Sequence, residues 1–389
     1  MTVLAAPPVD HAPRVASTDI QDFPMPVGRE EEWRFAPVEE IRSFMSLDPA
    51  AGVVRTDDVD HVQVIDMADA APTAWLPTDR TSAVAHAGAA SAIVVTVGDD
   101  EVVDEPIVVN LRGTAQANYG YVDVRAGRHS RATVVLVHDA SVDVSGSIVT
   151  HVGDGAELTM LSVIDGPPER IQLWQWHTEV GRDARFVGAA LTIGGRIVRV
   201  LPSVAYTGPG GSAELLGAFL AEGGQYLEHR IFVDHDQPHC SSHVVYKGAL
   251  SGEGSHTVWV GDVLVRRTAT GIDTYEMNRN LLLDDGPRAD SVPNLELETG
   301  DVASAGHASA TGRFDDEQLF YLQARGIPER VARQLVVRGF FVDVLARIPS
   351  LEWRERVLVR IGQRLGMHLE EHDEATDVVE AIAGGGTPA

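Results

Sequence analysis

Short runs of β-branched and aliphatic residues at 92–97, 106–111, 119–124, 133–138 and 148–152 are separated by turns rich in Gly, Asp and Arg. Runs of this length, bounded by such turns, predict β-strands. The turns themselves recur. Gly127-Arg128-His129-Ser130-Arg131-Ala132, Gly153-Asp154-Gly155-Ala156-Glu157-Leu158, Gly181-Arg182-Asp183-Ala184-Arg185-Phe186 and Gly210-Gly211-Ser212-Ala213-Glu214-Leu215 start 26, 28 and 29 residues apart, and Gly252-Glu253-Gly254-Ser255-His256-Thr257 is a looser fifth copy. A period of roughly 20–50 residues marks a solenoid. With strands and no helices inside the repeat, a single coil cannot bury its own apolar face, so neighbours must stack into one continuous core. The rival architecture is a β-sandwich, whose turn signals recur every ~8–12 residues; the longer period favours the solenoid.

After Gly312 the hydrophobic period changes from two to 3.6. Asp315 fits a helix N-cap, with Gln318 at the third helical position completing a capping box. Gly326 reads as the stop of that helix. Pro328 starts a second helix, with Val331, Leu335, Val342 and Leu345 on its apolar stripe, and Pro349 ends it. A third helix carries Leu351, Leu358, Ile361 and Leu365. At the other end, residues 1–30 are rich in Pro, Ala and Asp without periodicity and predict a loose tail. Glu32-Trp33-Arg34-Phe35 is an aromatic element suited to docking, and Pro37-Val38-Glu39-Glu40-Ile41-Arg42-Ser43-Phe44-Met45 predicts a short helical patch.

Composition narrows the class. The chain has 389 residues, 44% hydrophobic and 23% charged, which suits a soluble globular protein of two or three domains or one elongated body with appendages. A formal net charge of −26 would repel nucleic acid and anionic membrane. A single cysteine, Cys240, excludes an internal disulfide and points to a reducing compartment. No apolar run approaches the ~20 residues that cross a bilayer, and no secretory signal is visible at the N-terminus, so a cytoplasmic protein is expected. Lys247 is the only lysine and Gly248 follows it. The Gly-Lys-Ser/Thr of a P-loop is therefore absent, and ATP used through such a loop would have to come with a partner.

Four constellations could carry chemistry. His235-Asp236-Gln237-Pro238-His239-Cys240-Ser241-Ser242-His243 offers imidazole, thiolate and carboxylate for zinc or iron, with His239 and Cys240 as candidate ligands. Pro238 breaks any regular element there, so the plainer reading is a polar turn between coils with Cys240 as a small buried hydrophobe. His307, in Ser304-Ala305-Gly306-His307-Ala308-Ser309, lies in a polar hinge where the strand region ends, and neutral imidazole suits iron. Adjacent acids such as Asp234 with Asp236, or Asp284 with Asp285, could serve a carbohydrate-cleaving β-helix enzyme, but with 57 acidic residues such pairs arise by chance. Finally, Phe314, Phe320 and Tyr321 cannot all face one core from one helix, which leaves an aromatic face for a partner.

The run Met277-Asn278-Arg279-Asn280-Leu281-Leu282-Leu283, followed by Pro293-Asn294-Leu295-Glu296-Leu297, Gly306-His307 and Gly312-Arg313-Phe314-Asp315-Asp316-Glu317-Gln318, resembles the signature of the SufB/SufD family, the scaffold subunits of the Suf iron–sulfur cluster assembly machine. Lys247-Gly248, Tyr321-Leu322, Arg325-Gly326-Ile327, Ile361-Gly362-Gln363-Arg364-Leu365 and Trp33-Arg34-Phe35 extend the resemblance, which covers most of residues 225–365. It implies a mainly β fold: a right-handed parallel β-helix at 89–311, between a mixed helical region at 31–88 and a helical domain at 312–369, with a disordered acidic and Gly-rich tail at 370–389. It implies a non-catalytic scaffold that pairs with a SufB-like paralogue through the β-helix, or with itself when that paralogue is absent, and docks a SufC-like ATPase through Arg313, Phe314, Asp315, Asp316, Gln318, Phe320 and Tyr321. An iron–sulfur cluster would be assembled transiently in the complex, with His307 as the candidate ligand at the interface and nothing tightly bound to the isolated chain. Some members of the family bind reduced flavin, although no residue pattern here fixes such a site. The family commonly reads Cys-Ser-His-Gly-Ala-Thr where this chain has Ala305-Gly306-His307-Ala308-Ser309-Ala310. The thiol position is alanine, so sulfur ligands would have to come from the partner. The alternatives are a β-helix carbohydrate-active enzyme and a solitary metal-binding protein built on His235–His243.

Overall fold

A computed structural model describes residues 15–71, 73–139, 141–314 and 316–364. The elements are β1 (Gly52–Arg55), β2 (Val62–Asp66), α1 (Arg80–Gly88), β3 (Ser91–Val97), β4 (Ile107–Gly113), β5 (Ala117–Ala126), β6 (Arg131–His138), β7 (Asp143–Val152), β8 (Glu157–Ile164), β9 (Ile171–Val180), β10 (Arg185–Thr192), β11 (Ile197–Tyr206), β12 (Ser212–Ala221), β13 (Tyr226–His235), β14 (Ser241–Leu250), β15 (His256–Val265), β16 (Ile272–Leu282), β17 (Arg288–Leu297), β18 (Val302–Arg313), α2 (Asp316–Ala324), α3 (Glu329–Leu345) and α4 (Leu351–Arg364).

From β3 onward each strand pairs in parallel with the strand two places later. Odd-numbered strands form a front sheet and even-numbered strands a back sheet, giving a flattened β-solenoid of about eight turns. The predicted solenoid is the observed fold, and the β-sandwich is excluded. Alternate residues of both sheets point inward and meet in one apolar core that includes Leu136, Met160, Trp174, Phe186, Phe219, Tyr246 and Trp259. The aromatic rings need glycine opposite them. Tyr246 stands beside Gly217 in register, and Phe219 beside Gly248, where an added Cβ would lie 2.0 Å from the ring in each case.

The turn repeat has a backbone cause. His129, Gly155, Asp183, Gly210, His239 and Gly271 all have positive φ, between 52° and 78°, at the front-to-back corner of successive coils. This conformation exposes each amide along the solenoid axis. Gly155 N donates to Arg182 O at 2.8 Å, Asp183 N to Pro209 O at 3.0 Å, Gly210 N to Pro238 O at 3.2 Å and His239 N to Thr270 O at 2.8 Å. Gly210 is therefore the equivalent of Gly155 rather than of Gly153, so the fourth copy begins two residues earlier than its glycines suggest. Gly252-Glu253-Gly254 is not a copy of this turn at all; it joins β14 to β15 at the opposite corner.

The two ends of the solenoid differ. At the N-terminal end β2 pairs antiparallel with β3, and β1 joins both β4 and β5, which closes the first strands. At the other end β17 pairs with β15 and β18 with β16, and among the described residues neither has a partner on its second edge.

Both flanking regions lie on the sheets. In front, Trp33, Ile41, Phe44 and Met45 pack on Tyr119, Leu173, Ile197 and Val258. The patch expected to be helical over 37–45 is a turn followed by one 3₁₀ turn, Arg42–Met45, because its apolar residues are all drawn down onto the sheet. A buried ionic cluster fastens this layer. Arg199 bonds Asp79, the N-cap of α1, and through Nε reaches Glu228 Oε2 at 3.1 Å, with its guanidinium 4.2 Å over Trp33. Burial would raise the Asp79 carboxyl, but the Arg199 charge overrides it and holds it below the usual range. Part of the stretch expected to be loose is also tied down: Phe23 is buried, and Arg80 donates to the carbonyls of Ile20 and Phe23. Residues 1–14 and 365–389, including the predicted tail and Leu365, lie outside the described residues.

Behind, Val337, Phe341, Val344, Leu345, Trp353, Val357 and Ile361 of α3 and α4 pack on Leu161, Ala189, Leu216, Ala218 and Val245 of the back sheet. The helical region is thus largely a layer on the solenoid. Of the expected stripes, Leu345 and Ile361 are buried and Leu358 packs beside them, whereas Val342 and Leu351 are exposed; Trp353 and Val357 complete the buried line of α4. Lys247 reaches out of the back sheet to Asp343 Oδ1 at 2.5 Å and Phe340 O at 2.8 Å, latching α3 down.

Candidate functional site at the open end of the solenoid

The segment around His307, expected to be a polar hinge at the end of the strand region, lies within the twelve-residue strand β18. The small side chains Ala305, Gly306, Ala308 and Ala310 permit an extended strand in continuous parallel register with β16 from Ser304 to Arg313. His307 stands opposite Glu276 in that register and is 45% exposed, on a strand whose other edge is open.

The interior changes character as it approaches this end. Thr274, Glu276, Asn278 and Asn280 occupy the buried alternate positions of β16. Asn280 Nδ2 donates to Asn278 Oδ1 at 2.8 Å and to Ser291 Oγ at 3.0 Å, and Ser291 Oγ donates to Asn278 Oδ1 at 2.6 Å, so this polar set bridges back and front sheets. Burial pushes the Glu276 carboxyl up to about 8, with the Asp262 carboxylate adding in the same direction and the backbone N–H of Asn294 opposing. Glu276 belongs to none of the sequence motifs. Its signal is parity: it shares the inward set 272, 274, 276, 278 and 280, where a carboxyl group is costly to bury among neutral residues.

The other constellations divide. His235 is buried inside β13, stacked on Tyr206 at 4.8 Å with its Nε2 2.9 Å from Ser242 Oγ. His239 is an exposed corner residue. Cys240 fills the small inward corner slot held by Ser130, Ala156, Ala184 and Gly211 in other coils, with Sγ 3.6 Å from the carbonyls of Gly208 and Pro238. Burial pushes its thiol up, away from the thiolate that binds metal. Among the described residues no three His, Cys, Asp or Glu converge as metal ligands anywhere. Asp234 is paired with Arg266 at 2.6 Å, Asp284 accepts from Gly252 N at 2.9 Å and Asp285 is bonded by Arg313.

At the start of the helices, Phe314 is half-buried against Leu319, Ile327 and Ala332, while Phe320 and Tyr321 on α2 are 72% and 55% exposed. Arg325 lies 4.4 Å over the Tyr321 ring and Arg333 4.8 Å over Phe314. Gly326, at φ 85°, ends α2 as expected. Asp315, the expected N-cap, lies outside the described residues, as do the side chains of Asp316 and Gln318. No helix among the described residues is long and apolar enough to cross a membrane.

A two-sheet parallel solenoid with helices laid on both faces and a polar, histidine-bearing open end defines a class that comparison with known proteins identifies. Residues 109–340 match the family model described as SUF system FeS cluster assembly, SufBD core domain. The chain is 44% identical over 377 residues to an iron-sulfur cluster assembly SufBD family protein of Mycobacterium bovis, covering 93% of this chain and 94% of that one. It is 22% identical over 385 residues to the iron-sulfur cluster assembly protein SufD of Escherichia coli K12, covering 88% and 89%. A second SufBD family protein of M. bovis is 31% identical over 157 residues, 40% of this chain and 18% of that one. The chain belongs to the SufB/SufD family, whose members are implicated in iron–sulfur cluster assembly. Within the family it is SufD-like.

Proposed function

We propose that this chain is a non-catalytic scaffold subunit for iron–sulfur cluster assembly in the cytoplasm. It pairs with a SufB-like paralogue at the open end of the solenoid, presents His307 there to iron or a nascent cluster as cargo, and docks a SufC-like ATPase through α2 and its flanks. The observation that carries the reading is His307 on β18, a strand paired on one edge only and lined by small side chains. An unpaired edge ten to twelve residues long is a template for another chain's strand, and small side chains allow close approach. The exposed Phe320 and Tyr321 on the helix that follows β18 support an ATPase contact next in sequence to His307. ATPase movement on α2 can then act on β18 through Phe314, whose backbone N donates to Leu282 O at 2.8 Å. The absence of Gly-Lys-Ser/Thr in this chain agrees with ATP hydrolysis in a partner.

Co-expression with a SufB-like and a SufC-like protein, followed by size-exclusion chromatography, tests the reading. A stoichiometric three-component complex is expected, with iron loading reduced by His307→Ala while the complex itself persists. Elution of this chain apart from both partners overturns it.

A further inference from the structure

Glu276 is completely buried, and among the described residues neither of its carboxyl oxygens has a hydrogen-bond partner. Its side chain crosses the interior to the front sheet, where Oε2 lies so close over Gly261 that a Cβ there would be 2.3 Å away. The glycine makes room for the acid. Oε1 is 3.7 Å from His307 Nδ1 on the neighbouring strand. That separation is too long for a hydrogen bond, which needs about 2.7–3.2 Å. It does suit two donors of one ion: atoms each ~2.1 Å from a metal lie about 3.0–3.7 Å apart for angles of roughly 90–125°. Apart from the pull of the Asn294 backbone N–H, this buried acid has no hydrogen-bond partner among the described residues; that is a poor structural choice, and such groups concentrate where function requires them.

We propose that Glu276 is the second protein donor of the His307 site, the two side chains together taking one divalent transition-metal cation, iron(II) when the site is loaded for assembly. This rests on the reading of His307 as a ligand. Imidazole and carboxylate together suit iron(II), and with alanine at 305 the carboxylate supplies the negative charge that a thiolate there would bring. Two protein donors leave the remaining positions to water and to groups contributed across the open edge. The site in the isolated chain is therefore weak and exchangeable, as a site that passes its metal on must be.

The test is an anaerobic titration of the full-length chain with cobalt(II) as probe, followed by visible absorption and calorimetry, and repeated with iron(II). One ion per chain is expected, with affinity at least tenfold lower in Glu276→Gln and lost in His307→Ala. Because glutamine keeps the shape of the side chain and an acceptor oxygen for the Asn294 N–H, Glu276→Gln should not lower the melting temperature; Glu276→Met takes its place in the titration if it does. Loss of binding in His307→Ala with wild-type affinity in the Glu276 variant overturns the role of Glu276 and leaves that of His307 standing. Unchanged binding in both variants overturns both. Failure of the wild-type chain to bind one ion overturns the two-donor site, while His307 at the interface is still judged by iron loading of the three-component complex.

Discussion

His138 and His229 lie inside the solenoid, each with Nε2 against one hydroxyl, Ser162 Oγ at 2.8 Å and Thr192 Oγ1 at 3.1 Å. Burial pushes both imidazoles down to about 3, so they stay neutral in the folded chain. Unfolded, each takes a proton near 6.5. The folded value is the lower one, so as pH falls below ~6.5 the unfolded state binds more protons and stability drops, by up to about 1.4 kcal/mol per pH unit for each histidine. The urea midpoint should fall from pH 7 to pH 5. The stability gap between wild type and His138→Gln should shrink by about 2 kcal/mol between pH 6.5 and 5, and a gap independent of pH would refute the assignment. Much of this is readable from the sequence once β6 is recognised, since His138 shares the parity of Val134 and Leu136. The same parity exposes Glu276. Its lack of a partner is not readable, because Gly261 and His307 reach it from other coils.

At the scale of elements, α2 carries two exposed aromatics that solvent does not favour, with the Arg325 guanidinium lying over the Tyr321 ring. Changing Phe320 and Tyr321 together to Ser should leave the melting temperature within a few degrees, since neither ring is in the core. It should weaken binding of the SufC-like ATPase at least tenfold, measured by calorimetry on the purified pair. Unaltered affinity would remove α2 from the docking surface. Helix starts and stops were legible: Gly326 and the Pro328 boundary stand where their backbone chemistry puts them. The buried faces of α3 and α4 were less so. Val342 and Leu351 are as apolar as Val344 and Val357, and the choice between them is made by the apolar patch of the back sheet.

For the whole molecule, the difference between its ends matters most. The first strands are closed by β1 and β2, whereas β17 and β18 each offer an open edge. Charged residues are the usual device against edge pairing, yet β18 holds no Asp, Glu or Lys and its one arginine is its last residue, Arg313. Introducing Ala308→Lys with Ala310→Lys should leave the solenoid folded, judged by circular dichroism and melting, and abolish co-elution with the SufB-like paralogue. Co-elution at wild-type stoichiometry would place the interface elsewhere. The sequence by itself determined the solenoid, because strand alternation and a corner residue in the left-handed region are local demands that repeat in every coil. It also determined where helix replaces strand, through the change of period after Gly312. Only the tertiary structure decided that the segment around His307 continues as a strand rather than a hinge. It alone decided that Cys240 is a corner filler, that Arg199 binds the N-terminal layer, and that Glu276 faces His307. Each of those depends on residues some 30 to 120 positions apart being brought side by side by the stacking of coils, and one chain's spacing carries no record of which neighbours that stacking will supply.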